Sequence, residues 1–409
     1  MGSVENPRAQ KQQPKKPWVE TPLIESRGLS QAVGCRVFLK LENLQPSGSF
    51  KSRAVGNLVR AYASDPSDAG KYLHFFIPSA GNAGLAAAMA ASALNYPCTV
   101  AVPTTTKPVM VSKLQQAGAN VIQHGANIVE AASRLREVMD ELRGQTVEGN
   151  GPIVPIELHP FDHEKIWEGV STLVDELAYQ LPPVEEGEER EEEAGRPRAL
   201  PVDAIICSVG GGGLMNGIIM GIERQSKMCP KQTLGSSRGG RDVHVIATET
   251  TGAASLAESV KTGKLVTIPG ITSMATSLGA VRVATKTFEN SVSPPPGVKV
   301  HSVVLHDSDA ARGALRLLDE QKLLVELACG VSVEAAFTTA TGVKGVNGCN
   351  GLDANGHGPS VQSYLSQVIP NFGPKSRVVI VVCGGSNVSL EMAAEWRRQL
   401  DEGWGAEVC

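Results

Sequence analysis

Lys51 stands in Pro46-Ser47-Gly48-Ser49-Phe50-Lys51-Ser52-Arg53, a glycine- and serine-rich turn leading into an apolar helical pattern at Ala54, Val55, Leu58 and Val59. An amine held at such a turn can form a Schiff base with an aldehyde, and the adjoining helix N-terminus can hold an anion. A solvated surface lysine is the plainer alternative. Three other loops bear on the choice. Ser208-Val209-Gly210-Gly211-Gly212-Gly213-Leu214 follows a buried apolar run and opens a helical pattern at Met215, Ile218, Ile219 and Ile222. Four consecutive glycines expose four backbone N–H groups, which suits a phosphate. No Walker lysine follows, and the next glycine, Gly217, misses the dinucleotide spacing, so a tight turn stays open as an alternative. In Ser79-Ala80-Gly81-Asn82-Ala83-Gly84 the amides could hold a carboxylate and Asn82 could donate to a ring oxygen, or the string is an ordinary helix cap. Cys383-Gly384-Gly385-Ser386-Asn387 ends an apolar run. A thiol there is a weak hydrogen-bond partner with little charge at neutral pH, or simply an inert buried cysteine.

Taken together, these loops resemble the fold-type II pyridoxal-phosphate enzymes, the tryptophan synthase β-like group, and within it the L-serine/L-threonine dehydratases. The resemblance runs from about Trp18 to the C-terminal helix. It rests on PSGSFKSRA, SAGNAG, PFDHEKIWEG, SVGGGGLMNG, ATETTGAAS, ITSMATSLG, LVELACG and CGGSN in that order.

The resemblance implies pyridoxal 5'-phosphate as cofactor, with Lys51 as the Schiff-base lysine and Phe50 beside the ring. Asn82 would bond the ring's 3-oxygen. Ser79 and the amides of Ala80, Gly81, Asn82 and Ala83, up to Gly84, would take the substrate carboxylate. Gly210, Gly211, Gly212 and Gly213 would hold the phosphate, with Leu214 next to them. Cys383, with Gly384 beside it, would face the pyridine nitrogen, and Ser277 would lie on the ring face opposite Phe50. Glu249 would anchor a monovalent cation such as potassium, helped by Ala253, Ser255 and Leu278. The implied reaction is α,β-elimination of L-serine to pyruvate and ammonia, and of L-threonine to 2-oxobutanoate. Lys51 would be the base at Cα.

Three rival readings fit the same residues. One is another reaction on the same scaffold: serine racemase, threonine synthase or β-replacement. One is a non-catalytic amino-acid sensor that keeps the cofactor. One is a nucleotide-dependent oxidoreductase, against which the failed glycine spacing counts. His159 and His163 suggest a metal pair, although HPFD resembles a strand-end loop of the family. Cys329 and Glu326 fall in LVELACG, and neither takes an assigned role.

The elements that must position these loops read as an α/β succession. Strand-like runs at 37–41, 74–78, 98–102 and 120–123 alternate with helical patterns at 84–94, 109–117 and 128–142. Further strand-like runs lie at 204–207, 243–247 and 378–382, with a last helix at 388–400. Such alternation predicts open, twisted, mostly parallel sheets in three αβα layers, with ligands beyond the carboxyl ends of the strands. At 409 residues the chain is long enough for two units. Residues 45–152 are expected as a small α/β domain, and 18–44 with 153–409 as a large cofactor-binding one. Residues 1–17 are read as a flexible tail, and insertions are expected near 184–198, 234–241 and 342–360.

Composition narrows the class. A net charge of −4 without a basic stripe argues against nucleic acid. The eight cysteines include no CxxC pair, which fits buried, reduced thiols. The polar N-terminus lacks a signal-peptide core, and Asn6 spoils the myristoylation pattern begun by Met1-Gly2. No apolar run reaches membrane-spanning length. Composition leaves a cytoplasmic protein as the expectation; the resemblance implies a homodimer acting on small amino acids in serine catabolism and gluconeogenesis.

Overall fold

The computed structural model describes residues 15–68, 70–149, 151–183, 200–228, 242–338 and 363–406. The expected insertions near 184–198, 234–241 and 342–360, and residues 1–14 of the expected tail, lie outside them. In chain order the strands are β1, Leu23–Glu25; β2, Arg36–Lys40; β3, Tyr72–Pro78; β4, Cys98–Val102; β5, Ala119–Gln123; β6, Thr146–Val147. They continue with β7, Gly151–Glu157; β8, Ala204–Ser208; β9, Val243–Thr250; β10, Val298–Leu305; β11, Arg377–Val381.

Two sheets result. One has the order β1-β2-β11-β8-β9-β10, the other β5-β4-β3-β7-β6. Every neighbouring pair is parallel except β1–β2 and β6–β7, which form antiparallel edges. The reason lies in the strand sequences. Runs such as CTVAV, AIICS and RVVIV are buried at every position. A strand with no polar alternation needs cover on both faces, and parallel crossovers supply it through helices. One apolar core joins the sheets: Leu39, Ile205 and Val379 of the larger belong to the same cluster as Phe75 and Val100 of the smaller.

The expected alternation is present, with ends shifted by a few residues. β7, Glu164–Gln180, Asp307–Gln321 and β10 were not foreseen. The stretch Gly149-Asn150-Gly151-Pro152 reads as a boundary, yet β7 starts at Gly151 and pairs with β3. Pro152 and Pro155 disguise this strand, because proline removes a ladder donor.

Candidate active site

The Lys51–Ala63 helix begins at the lysine itself and buries Ala54, Val55, Leu58 and Val59. The turn before it is fastened to the loop after β11. Phe50 N donates to the Cys383 carbonyl at 3.1 Å, and Gly385 N donates to the Gly48 carbonyl at 2.9 Å. Inside the turn, Ser47 N donates to Ser52 Oγ at 3.0 Å. Lys51 and Cys383, 332 positions apart in sequence numbering, are thereby held on one strip of backbone.

A cavity of about 410 Å³ opens beside this strip, at the carboxyl ends of β3, β8 and β11. Its wall contains Lys51, Phe50, Cys383 and Gly384; Ser79, Ala80, Gly81, Asn82 and Ala83; Gly210 to Leu214; and Ser277 and Leu278. These loops come from both sheets.

The Asn82–Ala93 helix starts at Gly81, which offers no side-chain cap, so the amides of its first turn are not closed off by a capping side chain. Asn82 Oδ1 accepts from Ser386 N at 2.9 Å. Its Nδ2 donates to Glu326 Oε1 at 3.1 Å and reaches Ser277 Oγ at 3.4 Å. Opposite, the tetraglycine loop leads from β8 into the Gly213–Met228 helix. Gly212 has φ of 92°, and a Cβ there would fall inside Thr287; one on Gly211 would fall inside the Phe161 ring. Only glycine permits this path.

These parts fit a phosphorylated pyridine aldehyde: an amine for the aldehyde, a side-chain-free cradle before a helix N-terminus for the phosphate, and an amide for a ring oxygen. Lys51 Nζ donates to the Pro160 carbonyl at 2.7 Å and lies 5.0 Å from the centre of the Phe50 ring. The protein around it strips away bulk water, which pulls its amine down from 10.5 to about 8 against a smaller opposing pull from Cys383.

Cys383 is buried, with Sγ 3.5 Å from Ser208 Oγ and 3.9 Å from the Ala328 carbonyl. The neighbouring thiol of Cys329 is pushed far up, first by its hydrogen bond with Cys383 and then by burial. Behind the lysine helix, Arg53 forks onto two buried carboxylates. It donates to Glu42 at 2.8 and 2.9 Å and to Glu176 at 2.5 and 2.7 Å. Lys40 also donates to Glu176, at 2.5 Å. Two cations and two anions thus neutralise one another under the site.

Glu249, Ala253 and Ser255 do not line the cavity. The Glu249 carboxylate accepts from Leu256 N and Ala257 N, both at 2.8 Å, at the start of the Ser255–Thr262 helix. Burial raises it to about 7 against the pull of those amides. His159 Nδ1 accepts from Phe161 N and Asp162 N, and His163 Nδ1 accepts from Lys165 N as a helix cap. Among the described residues no group of three or more His, Cys, Asp or Glu side chains is arranged to hold a metal ion.

Glu326, Ser208 and Ser49, to which no local sequence pattern assigns a role, also line the cavity. Glu326 was the findable one. A lone carboxylate inside Leu323-Leu324-Val325-Glu326-Leu327-Ala328 must be buried with donors around it.

The sequence model of a family described as "Pyridoxal-phosphate dependent enzyme" matches residues 15–346. A Saccharomyces cerevisiae protein named L-serine dehydratase is 38% identical over 373 residues, covering 91% of this chain and 94% of that protein. A Bos taurus protein named L-serine dehydratase/L-threonine deaminase is 34% identical over 385 residues, covering 93% and 95%. The crystal structure of a fungal L-serine ammonia-lyase from Rhizomucor miehei superposes with a TM-score of 0.69 at 29% identity, covering 94% of this chain and 99% of that one.

Proposed function

The chain belongs to the pyridoxal-phosphate-dependent enzymes, and within them we propose that it is an L-serine dehydratase that also accepts L-threonine. The observation that carries this reading is the Lys51 amine, poor in water and lowered to about 8, in a cavity whose other wall is a bare tetraglycine loop. Similarity to named dehydratases over nine-tenths of the chain supports the choice of reaction.

Lys51 would hold the cofactor aldehyde, Gly210 to Gly213 its phosphate and Asn82 its ring oxygen, with Phe50, Leu214, Ser277 and Gly384 packed around the ring. Cys383 would face the ring nitrogen. When bound, the cofactor supplies an electron sink for charge developing at Cα. Ser79 and the amides from Ala80 to Ala83 would grip the substrate carboxylate and orient the Cα–H bond. Once the substrate's own amino group takes its place at the aldehyde, the released Lys51 amine, lowered to about 8 and so neutral far more often than an ordinary lysine, would take the Cα proton. The β-hydroxyl would leave with a proton as water, and the released aminoacrylate would take up one water to give pyruvate and ammonia.

The reading extends to a homodimer in the cytoplasm, to serine catabolism and gluconeogenesis, and to potassium near Glu249, Ala253, Ser255 and Leu278. It takes 45–152 as a small domain and 18–44 with 153–409 as a large one, with β7 of the smaller sheet running across that boundary. The deciding experiment treats purified protein with borohydride and maps the pyridoxyl adduct, while pyruvate, 2-oxobutanoate and D-serine are measured from L-serine and L-threonine. An adduct on Lys51 with pyruvate as main product supports the proposal. A colourless protein without adduct, or D-serine as main product, refutes it.

A further inference from the structure

Lys51 and Glu326 are the two acidic or basic side chains in the cavity wall among the described residues. Glu326 is 6% exposed. Its Oε1 accepts from Asn82 Nδ2 at 3.1 Å and from Asn387 N at 2.8 Å, and its Oε2 accepts from the Ser277 hydroxyl. A buried carboxylate is tolerated when donors satisfy it, and here three do so from three separate loops. Gly385 makes room. It has φ of 129°, and a Cβ there would fall inside the Glu326 carboxylate.

We propose that Glu326 is a positioning residue that fixes which way Asn82 and Ser277 present their hydrogen-bonding groups to the cofactor. The proposal rests on the cavity being the pyridoxal-phosphate site. Asn82 has one satisfactory orientation. Flipped, its carbonyl would face the Glu326 carboxylate and its amine would face the Ser386 N–H. As held, one Nδ2 hydrogen is committed to Glu326. The other reaches Ser277 Oγ at 3.4 Å, a weak bond, and is available to a ligand oxygen placed in its direction. Ser277 gives its proton to Glu326, so it shows the cavity lone pairs and no donor. One carboxylate therefore makes Asn82 a donor and Ser277 an acceptor.

Glu326→Gln offers one acceptor oxygen to three donors, so either the Asn82 amide or the Ser277 hydroxyl must turn. The test measures pyridoxal phosphate affinity by equilibrium dialysis, the position of the cofactor's visible band, and kcat and KM, for Glu326→Gln, Asn82→Ala and the double variant. We expect Glu326→Gln to weaken cofactor binding and kcat by about 10- to 100-fold, the size typical of losing an outer partner of a ligand-holding residue. The band should shift, and KM should move less than kcat. Added to Asn82→Ala, Glu326→Gln should bring less loss than it does alone, because the part exerted through Asn82 is already gone and only that through Ser277 remains. If Glu326→Gln does not fold, Glu326→Asp runs the same cycle with the charge kept and the carboxylate drawn back by one methylene. Wild-type affinity and band in the single variant, or losses that multiply in the double variant, overturn the proposal. Neither result touches the Lys51 adduct, which alone decides whether the cavity holds the cofactor.

Discussion

The backbone N–H of Phe50 donates to the carbonyl of Cys383 at 3.1 Å. The bond uses main-chain atoms at both ends. The lysine turn and the thiol loop therefore keep their spacing whatever side chain stands at 383, and a substitution there changes electronics ahead of geometry.

Cys383→Ser should accordingly be mild. A hydroxyl replaces a thiol of similar reach beside Ser208, and exchanging one neutral hydrogen-bonding group for another is worth about 1 kcal/mol, or roughly fivefold in rate. Cys383→Asp should be harsher. A carboxylate opposite the ring nitrogen would favour its protonated form, and a larger share of turnovers should end in transamination. Product analysis with L-serine decides: the same product ratio in wild type and the aspartate variant removes the electronic role of Cys383.

The lowered Lys51 amine gives two pH signatures. With a value of about 8, roughly a tenth is neutral at pH 7, against a few in ten thousand for an ordinary lysine. Capture of added pyridoxal phosphate by cofactor-free protein should rise as pH climbs toward about 8 and then level off. Stability follows the same sign. Between about 8 and 10.5 the unfolded chain holds the Lys51 proton and the folded chain does not, so stability rises with pH there. Lys51→Met should flatten that rise in cofactor-free protein and abolish turnover. A wild-type slope in this variant would reassign the titration to another group.

The site was legible in sequence where its parts are contiguous strings: PSGSFK, SAGNAG, the tetraglycine loop and CGGSN each lie in one loop beyond a strand. What convergence builds was not legible. Glu326 matters through Asn82, 244 positions away, and no local pattern links the two. Lys40, Glu42, Arg53 and Glu176 carry no sequence mark of burial, yet they are buried and neutralise one another across 136 positions of chain. β7 was hidden by its prolines, while Glu164–Gln180 shows a plain helical spacing at Ile166, Val170, Leu173, Val174 and Leu177.

The proposed phosphate cradle is testable by a single methyl. Gly212→Ala forces φ of 92° on a residue with a side chain and drives that side chain into Thr287. The strain alone is worth about 1–3 kcal/mol. Cofactor affinity should fall along with thermal stability, and added inorganic phosphate should protect wild type against heating more than the variant. Equal protection of both would remove the loop from phosphate binding.

Potassium should act through Glu249. Burial favours the protonated carboxyl, and a bound cation would favour the charged form. Melting temperature and deamination rate in potassium chloride should exceed those in tetramethylammonium chloride, and Glu249→Ala should erase the difference. A potassium effect that survives this change places the cation elsewhere.

The buried charge network under Lys51 predicts a stability loss out of proportion to one side chain. Arg53→Met keeps the apolar stem and deletes five donors, leaving Glu42 and Glu176 with Lys40 as the remaining cation of the network. Breaking a buried ion pair from one side costs about 3–5 kcal/mol, because the abandoned carboxylates stay in a dry interior. Urea unfolding of Arg53→Met should show a lower midpoint with an unchanged slope. Arg53→Lys restores the charge without the planar fork and should recover only part of the loss. Glu176→Gln supplies the counter-test: it leaves Arg53 and Lys40 against Glu42, so it too should destabilise, and combined with Arg53→Met it should cost less than the sum of the two. Additive losses would mean that the four groups are independent neighbours, and the helix that begins at Lys51 would then owe its position to its apolar face alone.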